Sequence, residues 1–334
     1  MEILSTKDID IVKAAESLAA GFLVAFPTET VYGLGADAFN PSALAKIFEA
    51  KNRPRFDPLI IHIAEMDALS RIANTESFTI LTKERLSILS KQLWPGPLTL
   101  ILPKRPEISG LATAGLATVA VRFPSHPVAQ KLIRLSTGAI AAPSANPFGF
   151  LSPTRAEHVK SQLGEKVDFI VDGGRTEVGL ESTVLDITRN PPVILRHGGT
   201  SREAIEALIG PVGITLNPLN ETPNSPGQLK NHYSPKTPLV LCKPGELDTI
   251  TPVSGEGRLY FSPPKKNSLH PERIRILSES SNLTEAAANF FDKLHEMDKL
   301  GFSIIRVEEA PNTGLGEAIN DRLKRAAHSS LTDS

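Results

Sequence analysis

Two separated stretches carry residue types suited to chemistry on a polyphosphate. One is Lys51-Asn52-Arg53, beside Pro54; the other is Ser144-Ala145-Asn146, between Pro143 and Pro147. They stand in KNRPRFDPLIIHI and AIAAPSANPFG, each at a point where the chain leaves a regular element for a loop. An ammonium and a guanidinium in one loop match phosphate charge, the guanidinium through a planar fork of donors. A small hydroxyl and an amide in a second loop suit close hydrogen bonding to the same ligand. Neither G-x-x-x-x-G-K-[ST] nor G-x-G-x-x-G occurs, so phosphate binding must come from side chains on several loops. Each pair also has a plainer reading. Cations are favoured at any helix C-terminus, and Ser and Asn between prolines are ordinary turn formers. Ser144 lacks the G-x-S-x-G setting of a hydrolase nucleophile.

These loops must be held by regular elements. Asn40-Pro41 marks a helix start, with Asn as cap and Pro in the first helical position. Ala43, Leu44, Ile47 and Phe48 then share one face. Pro54 disfavours helical geometry at Arg53, so this helix should end near Asn52, with Lys51 and Arg53 at its exit. An earlier helix is expected over 8–20, with Asp8 as N-cap and Gly21 as its stop. Strands are expected at 22–26, 59–63, 98–102, 118–123, 138–142, 168–172, 182–187 and 193–197. Several are continuous apolar runs, as in a sheet covered on both faces. Helices are expected at 126–136, 154–163 and 201–209. The stretch PTETVYGLGADAFNP, rich in Thr and Gly, reads as a loop. Interleaved helices and strands define an α/β fold. Composition shifts at 211–237, rich in Pro, Asn, Gly and Thr, which reads as a linker between domains 1–210 and 238–334. The second domain repeats the α/β pattern: strands at PLVLC, GRLYF, RIRIL and SIIRV, helices over 283–299 and 316–326.

The chain has 334 residues, 40% hydrophobic and 22% charged, enough to bury a core in each of about two domains. A net charge of -1 gives no global basic field to recruit nucleic acid or membrane. The single cysteine, Cys242, excludes an internal disulfide and suits a reducing compartment. MEILSTKDID is polar and acidic, unlike a secretory signal. No apolar run approaches the ~18 residues of a membrane span. The expected address is the cytoplasm.

FPTETVYGLG, KNRPRFDPLIIHI, WPGPLTLIL, VAVRFPSHP, APSANPFGFLSPT, DGG, ESTVLDI, ILRHGG and SPGQLKNHYSP occur in this order across roughly residues 20–235. Together they resemble the YrdC-like family of threonylcarbamoyl-AMP synthases in its long, two-domain form. The C-terminal region resembles the extra domain only by position and pattern. The resemblance implies a twisted mixed α/β sheet with a large basic cavity, plus a smaller, Rossmann-like α/β domain. It also implies a reaction that joins L-threonine, bicarbonate and ATP into L-threonylcarbamoyl-adenylate and pyrophosphate. The adenylate would then feed tRNA modification through a separate threonylcarbamoyl-transferase complex.

By the same resemblance Lys51, Arg53, Ser144 and Asn146 are the catalytic set. Thr30, His62, Arg122, Ala142 and Ser182 match threonine positions, Ala142 through its backbone. Arg53, Asp57, Thr118, Ser144, Ser152, Arg196 and Tyr233 match ATP positions. Asp57 is a departure, because the family commonly has an uncharged residue there and an anion repels phosphate. For Arg122 an internal salt bridge is the alternative to a substrate carboxylate, and for His62 a structural role in its strand. Tyr233 lies in the linker, so 224–235 could cross the cavity mouth as a lid or be only a spacer. No His/Cys/Asp cluster has metal-ligand spacing; Mg2+ is expected to arrive with ATP on phosphate oxygens and water.

Two other readings compete. A YrdC-like domain with a concave basic face can hold double-stranded RNA or tRNA by its backbone, without synthase activity. An aromatic content of 5% argues against stacking on single strands, and a weak tRNA contact stays open. A carbamoyl-transferring hydrogenase maturation protein would carry zinc-finger cysteines, which one cysteine excludes.

Overall fold

The computed structural model describes residues 1–215, 233–265 and 269–329. Strands and helices alternate through its first part: β1 (Glu2–Leu4), α1 (Asp8–Ala19), β2 (Val24–Phe26), β3 (Gly33–Asp37), α2 (Pro41–Lys51), β4 (Ile60–Ile63), α3 (Ile80–Leu93), β5 (Leu98–Pro103), β6 (Thr118–Arg122), α4 (Pro127–Leu135), β7 (Ala139–Ala141), α5 (Ala156–Leu163), β8 (Phe169–Val171), β9 (Thr183–Asp186), β10 (Val193–Arg196), α6 (Arg202–Ile209) and β11 (Gly213–Ile214). Among the described residues these strands form one sheet in the order β1-β8-β2-β3-β7-β4-β6-β5-β9-β10-β11. It is mixed: β4 pairs parallel with β6, while β5 pairs antiparallel with β6 and parallel with β9. Every residue of β2, β4 and β9 is buried, as expected for apolar runs covered on both faces.

Local chemistry sets the ends of α2. The Asn40 side chain accepts from the backbone N–H groups of Ser42 and Ala43, and Pro41 takes the first position. Asn52 closes the helix in the left-handed region, at φ 50°, a conformation that asparagine tolerates better than most residues. That exit turns Lys51 into the protein, where it is buried.

The remaining elements are β12 (Leu239–Cys242), β13 (Glu256–Tyr260), β14 (Ile274–Ile276), α7 (Leu283–Lys299), β15 (Ile304–Glu308) and α8 (Leu315–Ser329). The four strands are parallel, in the order β12-β15-β13-β14. This small parallel sheet with helices is the Rossmann-like pattern that the sequence implies. One apolar cluster joins the two sheets' territories: Val31, Leu151 and Leu180 pack with Tyr233 and with Phe290 and Phe291 of α7. Gly179, at φ 72°, lies against α7, where an added Cβ would meet the Ala287 carbonyl oxygen at 2.4 Å. Only glycine allows that approach.

Several expectations need correction. The stretch expected as a loop contains β3, which pairs antiparallel with β2 and with β7. Its glycines hide it. Gly35 sits where a Cβ would come within 2.8 Å of the Phe26 ring, so the strand needs a residue that strand propensity disfavours. Asp8 is not the cap of α1. It lies in the first turn, where its charge suits the helix dipole, and Lys7 occupies the cap position without a side-chain bond. The short edge strand β1 and helix α3 carry too little periodicity to be read; α3 buries only Leu89 fully. Within the linker, β11 adds a parallel edge to β10. Most of the expected lid, 224–232, lies outside the described residues.

Candidate active site

A cleft opens over the sheet where β4, β6, β9 and β10 meet the loops after β2 and β7. Its wall includes Thr28, Thr30, Arg53, His62, Arg122, Ala142, Ser144, Glu181, Ser182, Arg196 and Tyr233. It holds about 510 Å3 of non-atom space, open solvent at its mouth included. Nine of the sequence-predicted site residues therefore share this wall: Thr30, Arg53, His62, Arg122, Ala142, Ser144, Ser182, Arg196 and Tyr233.

The pleat explains part of this grouping. His62 is in register with Arg122 across β4 and β6, and Thr99 of β5 is in register with Arg122. In-register side chains on paired strands project to the same face. Arg122 Nε donates to the Gly96 carbonyl, and its Nη2 lies 2.8 Å from a Glu29 carboxylate oxygen. Both partners are buried. Arg122 thus keeps an internal ion pair while facing the cleft. His62 is buried beside it; burial first, then the Arg122 charge, pushes its imidazole down to about 3. His62 is neutral at physiological pH and can offer one N–H and one acceptor. Thr28 and Thr30 share a hydroxyl–hydroxyl bond of 2.8 Å. The Thr99 and Ser182 hydroxyls lie 2.7 Å apart. The Arg196 fork reaches Ser182 from the end of β10, donating from Nη2 to its carbonyl at 2.8 Å and to its hydroxyl at 3.1 Å.

The loop after β7 runs alongside the start of β3. Ser144 bridges Gly33, Leu34 N–H donates to the Pro143 carbonyl and Ala145 N–H to the Tyr32 carbonyl. This pairing fixes Ser144 at the wall.

The structure does not bring five predicted residues to the wall itself. Lys51 lies behind it and donates to the carbonyl oxygens of Ser144 and Asn146. Burial, with the Arg53 charge adding to it, drives the Lys51 ammonium well below its usual range. The Asn146 side-chain amide donates to the carbonyls of Pro147 and Phe150. Asp57 is fully buried, and its carboxylate sits 2.9 Å from Arg53 Nη2. Arg53 also donates to the Asp57 and Pro58 carbonyls. Burial pushes the Asp57 carboxyl up, against the pull of Arg53 and Lys51. The repulsion expected between Asp57 and phosphate is thus met by an ion pair inside its own loop. Ser152 is buried and donates to a Glu181 carboxylate oxygen at 2.5 Å. Thr118 begins β6, half-buried, two pleats from Arg122 on the same face.

Sequence reasoning passed over Thr28, Glu29, Glu181 and Arg322. The first three stand inside the strings FPTET and ESTVLDI, so a charged residue within a Thr- or Ser-rich turn was the available signal. Arg322 belongs to no string. It projects from α8, is fully buried, and donates from Nε and Nη2 to Glu181 Oε2 at 3.1 Å.

A mixed α/β sheet, three guanidinium groups and a ring of small hydroxyls around one cleft, backed by a parallel α/β domain, define a class of small-molecule-binding α/β protein. Residues 16–198 match the Sua5/YciO/YrdC family model, described as telomere recombination. Residues 200–328 match the model described as the threonylcarbamoyl-AMP synthase C-terminal domain. The chain belongs to this family. It is 44% identical to a threonylcarbamoyl-AMP synthase of Bacillus subtilis over 97% of this chain and 94% of that protein. It is 41% identical to the synthase of Pyrococcus abyssi, over 94% and 93% of the two chains. The crystal structure of P. abyssi Sua5 complexed with L-threonine superposes with a TM-score of 0.89, at 40% identity and 98% coverage of both chains.

Proposed function

We infer that this chain is an enzyme of the nucleotidyltransferase class, an L-threonylcarbamoyladenylate synthase. The observation that carries this reading is the meeting of Arg53, Arg122 and Arg196 with the hydroxyls of Thr30, Ser144 and Ser182 on one cleft wall. Two anionic ligands, an amino-acid carboxylate and a triphosphate, need such a set of separated cations. Relatives that match nearly the whole chain are named for the same activity.

In this reading Arg122 takes the threonine carboxylate, with Thr30, neutral His62, Ser182 and the Ala142 backbone around the rest of the amino acid. Arg53, Ser144, Ser152, Thr118, Arg196 and Tyr233 serve ATP, and Lys51, Asn146 and Asp57 hold the two phosphate-facing loops in place. The threonine amine forms a bond to the carbon of bicarbonate, and water is lost. An oxygen of the resulting carbamate bonds to the α-phosphorus as the bond to pyrophosphate breaks. No covalent bond to the protein is required. The protein contributes position, charge for the departing pyrophosphate, and a wall that excludes water from a labile product. Among the described residues no three His, Cys, Asp or Glu side chains converge as a metal cluster. Glu181 on the wall is engaged by Ser152 and Arg322. This donor set suits Mg2+ carried in by ATP, which would supply charge neutralisation on phosphate oxygens. The product is suited to tRNA modification by a separate transferase, in the cytoplasm. No helix among the described residues is long and apolar enough to cross a membrane.

The deciding experiment incubates the protein with ATP, L-threonine and bicarbonate and follows pyrophosphate and the adenylate. Release should require both threonine and bicarbonate. Equal release without threonine would overturn the assignment.

A further inference from the structure

The fully buried guanidinium of Arg322 in α8 touches three separate parts of the candidate site. Its Nε and Nη2 donate to Glu181 Oε2, each at 3.1 Å. Its Nη1 donates to the His197 carbonyl, one residue after Arg196. Its Cζ lies over the Tyr233 ring, 5.3 Å from the centroid. Glu181 passes the constraint on, because its other oxygen accepts the Ser152 hydroxyl. The domain grips the same serine a second time: the His295 ring on α7 lies 3.1 Å from the Ser152 carbonyl oxygen. Two helices of the small-sheet domain thus fix one residue, by its side chain and by its backbone.

A plain domain contact would not need this arrangement. Apolar packing already joins the two units through Val31, Leu151, Leu180, Phe290 and Phe291. A buried ion pair adds little net stability over apolar residues of similar volume. What it adds is direction: a rigid fork fixes a carboxylate better than an apolar contact can.

We propose that Arg322 is a positioning residue of the nucleotide half of the site, by which the C-terminal domain sets Glu181, Ser152 and the Tyr233 ring for ATP. This deepens the synthase reading and rests on it. None of the Arg322 hydrogen bonds goes to Arg122 or Thr30, so the threonine half around those two residues should be spared.

The test uses the full chain. Arg322→Lys keeps the charge and loses the fork; Arg322→Met loses both. Because Arg322→Met leaves Glu181 buried without its partner, the charge-balanced Arg322→Met/Glu181→Gln is measured beside it. In folded variants the KM for ATP should rise about tenfold or more, the size of a contact-network coupling. Threonine affinity, measured calorimetrically without ATP, should stay within about twofold. Arg322→Lys should be intermediate. Equal changes for both substrates, no change for ATP in a folded variant, or failure of all three variants to fold would overturn the positioning role. If the wild-type chain makes no adenylate, the synthase reading fails instead, and that outcome is read before any variant is made.

Discussion

The Lys51 ammonium donates to the Ser144 carbonyl oxygen at 2.5 Å and so joins the exit of α2 to the loop that leaves β7. The link is returned by the backbone, since Phe148 N–H donates to the Lys51 carbonyl at 2.8 Å. Asn146 then anchors the far side of the loop through Pro147 and Phe150. The K-x-R and S-x-N stretches are therefore one unit. Arg53 and Ser144 face the cleft, while Lys51 and Asn146 hold the frame behind them.

Replacing Lys51 should cost stability and turnover together. Lys51→Met leaves two buried carbonyls without their donor, a loss of about 1–3 kcal/mol. Denaturant unfolding and pyrophosphate release, measured on the same preparation, check this. Lowered turnover at unchanged stability would place the ammonium on substrate instead.

Arg122 gives a prediction of substrate selectivity. Arg122→Ala removes a charge-assisted contact worth about 1.5–3 kcal/mol, which is roughly a 10- to 150-fold rise in threonine KM. The ATP requirement should move much less. Glu29→Gln, which weakens the ion pair behind Arg122, should give a smaller change of the same kind. If ATP binding suffers alone, the two halves of the cleft are assigned in reverse.

The sequence made this division visible only in part. Asn40-Pro41 and Pro54 bracket α2 by local chemistry, and the structure keeps both ends close to those marks. Strands such as 118–123 and 193–197 are legible because they are apolar and continuous. β3 is hidden because close packing against Phe26 demands Gly35, and glycine signals a turn. For the site, residue type identifies Arg122 and Ser182 as candidates but cannot say what stands behind them. Glu29, in the loop after β2, and Thr99, on β5, reach these residues only through the tertiary fold, which no local spacing encodes. Arg322 is the extreme case, since it meets Glu181 from a different domain.

Acid should loosen the contact between the two domains. His158 of α5 and His295 of α7 stack with ring centroids 3.9 Å apart. Burial lowers both, to about 3 and about 4, and for His158 the neighbouring His295 charge lowers it further. Asp292, Arg155, Lys299 and Asp298 are the charged groups around them. Both rings are neutral in the native state, while the unfolded chain protonates near 6.5. The contribution of this pair to stability is therefore complete above about pH 6.5 and is lost as pH drops through 4 toward 3. In the variant His158→Gln/His295→Gln, the slope of Tm against pH across that window should be shallower. An identical slope would locate the acid sensitivity elsewhere, with His62 as the next group to test.

Tyr233 decides whether the end of the linker is part of the site. It is buried, lines the cleft, and packs against Phe291 with ring centroids 5.8 Å apart. Ser234 N–H donates to the Gly149 carbonyl at 2.8 Å, which ties this point of the chain to the loop that carries Ser144 and Ser152. A spacer needs no such fixed aromatic; a cover over a nucleotide does. The backbone at Tyr233 is left-handed, with φ 68°, so removing the ring and relieving the backbone are separable. Tyr233→Ala loses the ring and keeps the strain, whereas Tyr233→Gly loses the ring and removes the strain. If the ring covers the nucleotide, both should weaken ATP binding by roughly 5- to 150-fold, the range of base–aromatic stacking. Tyr233→Phe should keep most of the affinity. Were Tyr233→Gly to bind ATP as the wild type does while Tyr233→Ala does not, the residue would matter for its backbone alone and the cover would have to be sought elsewhere.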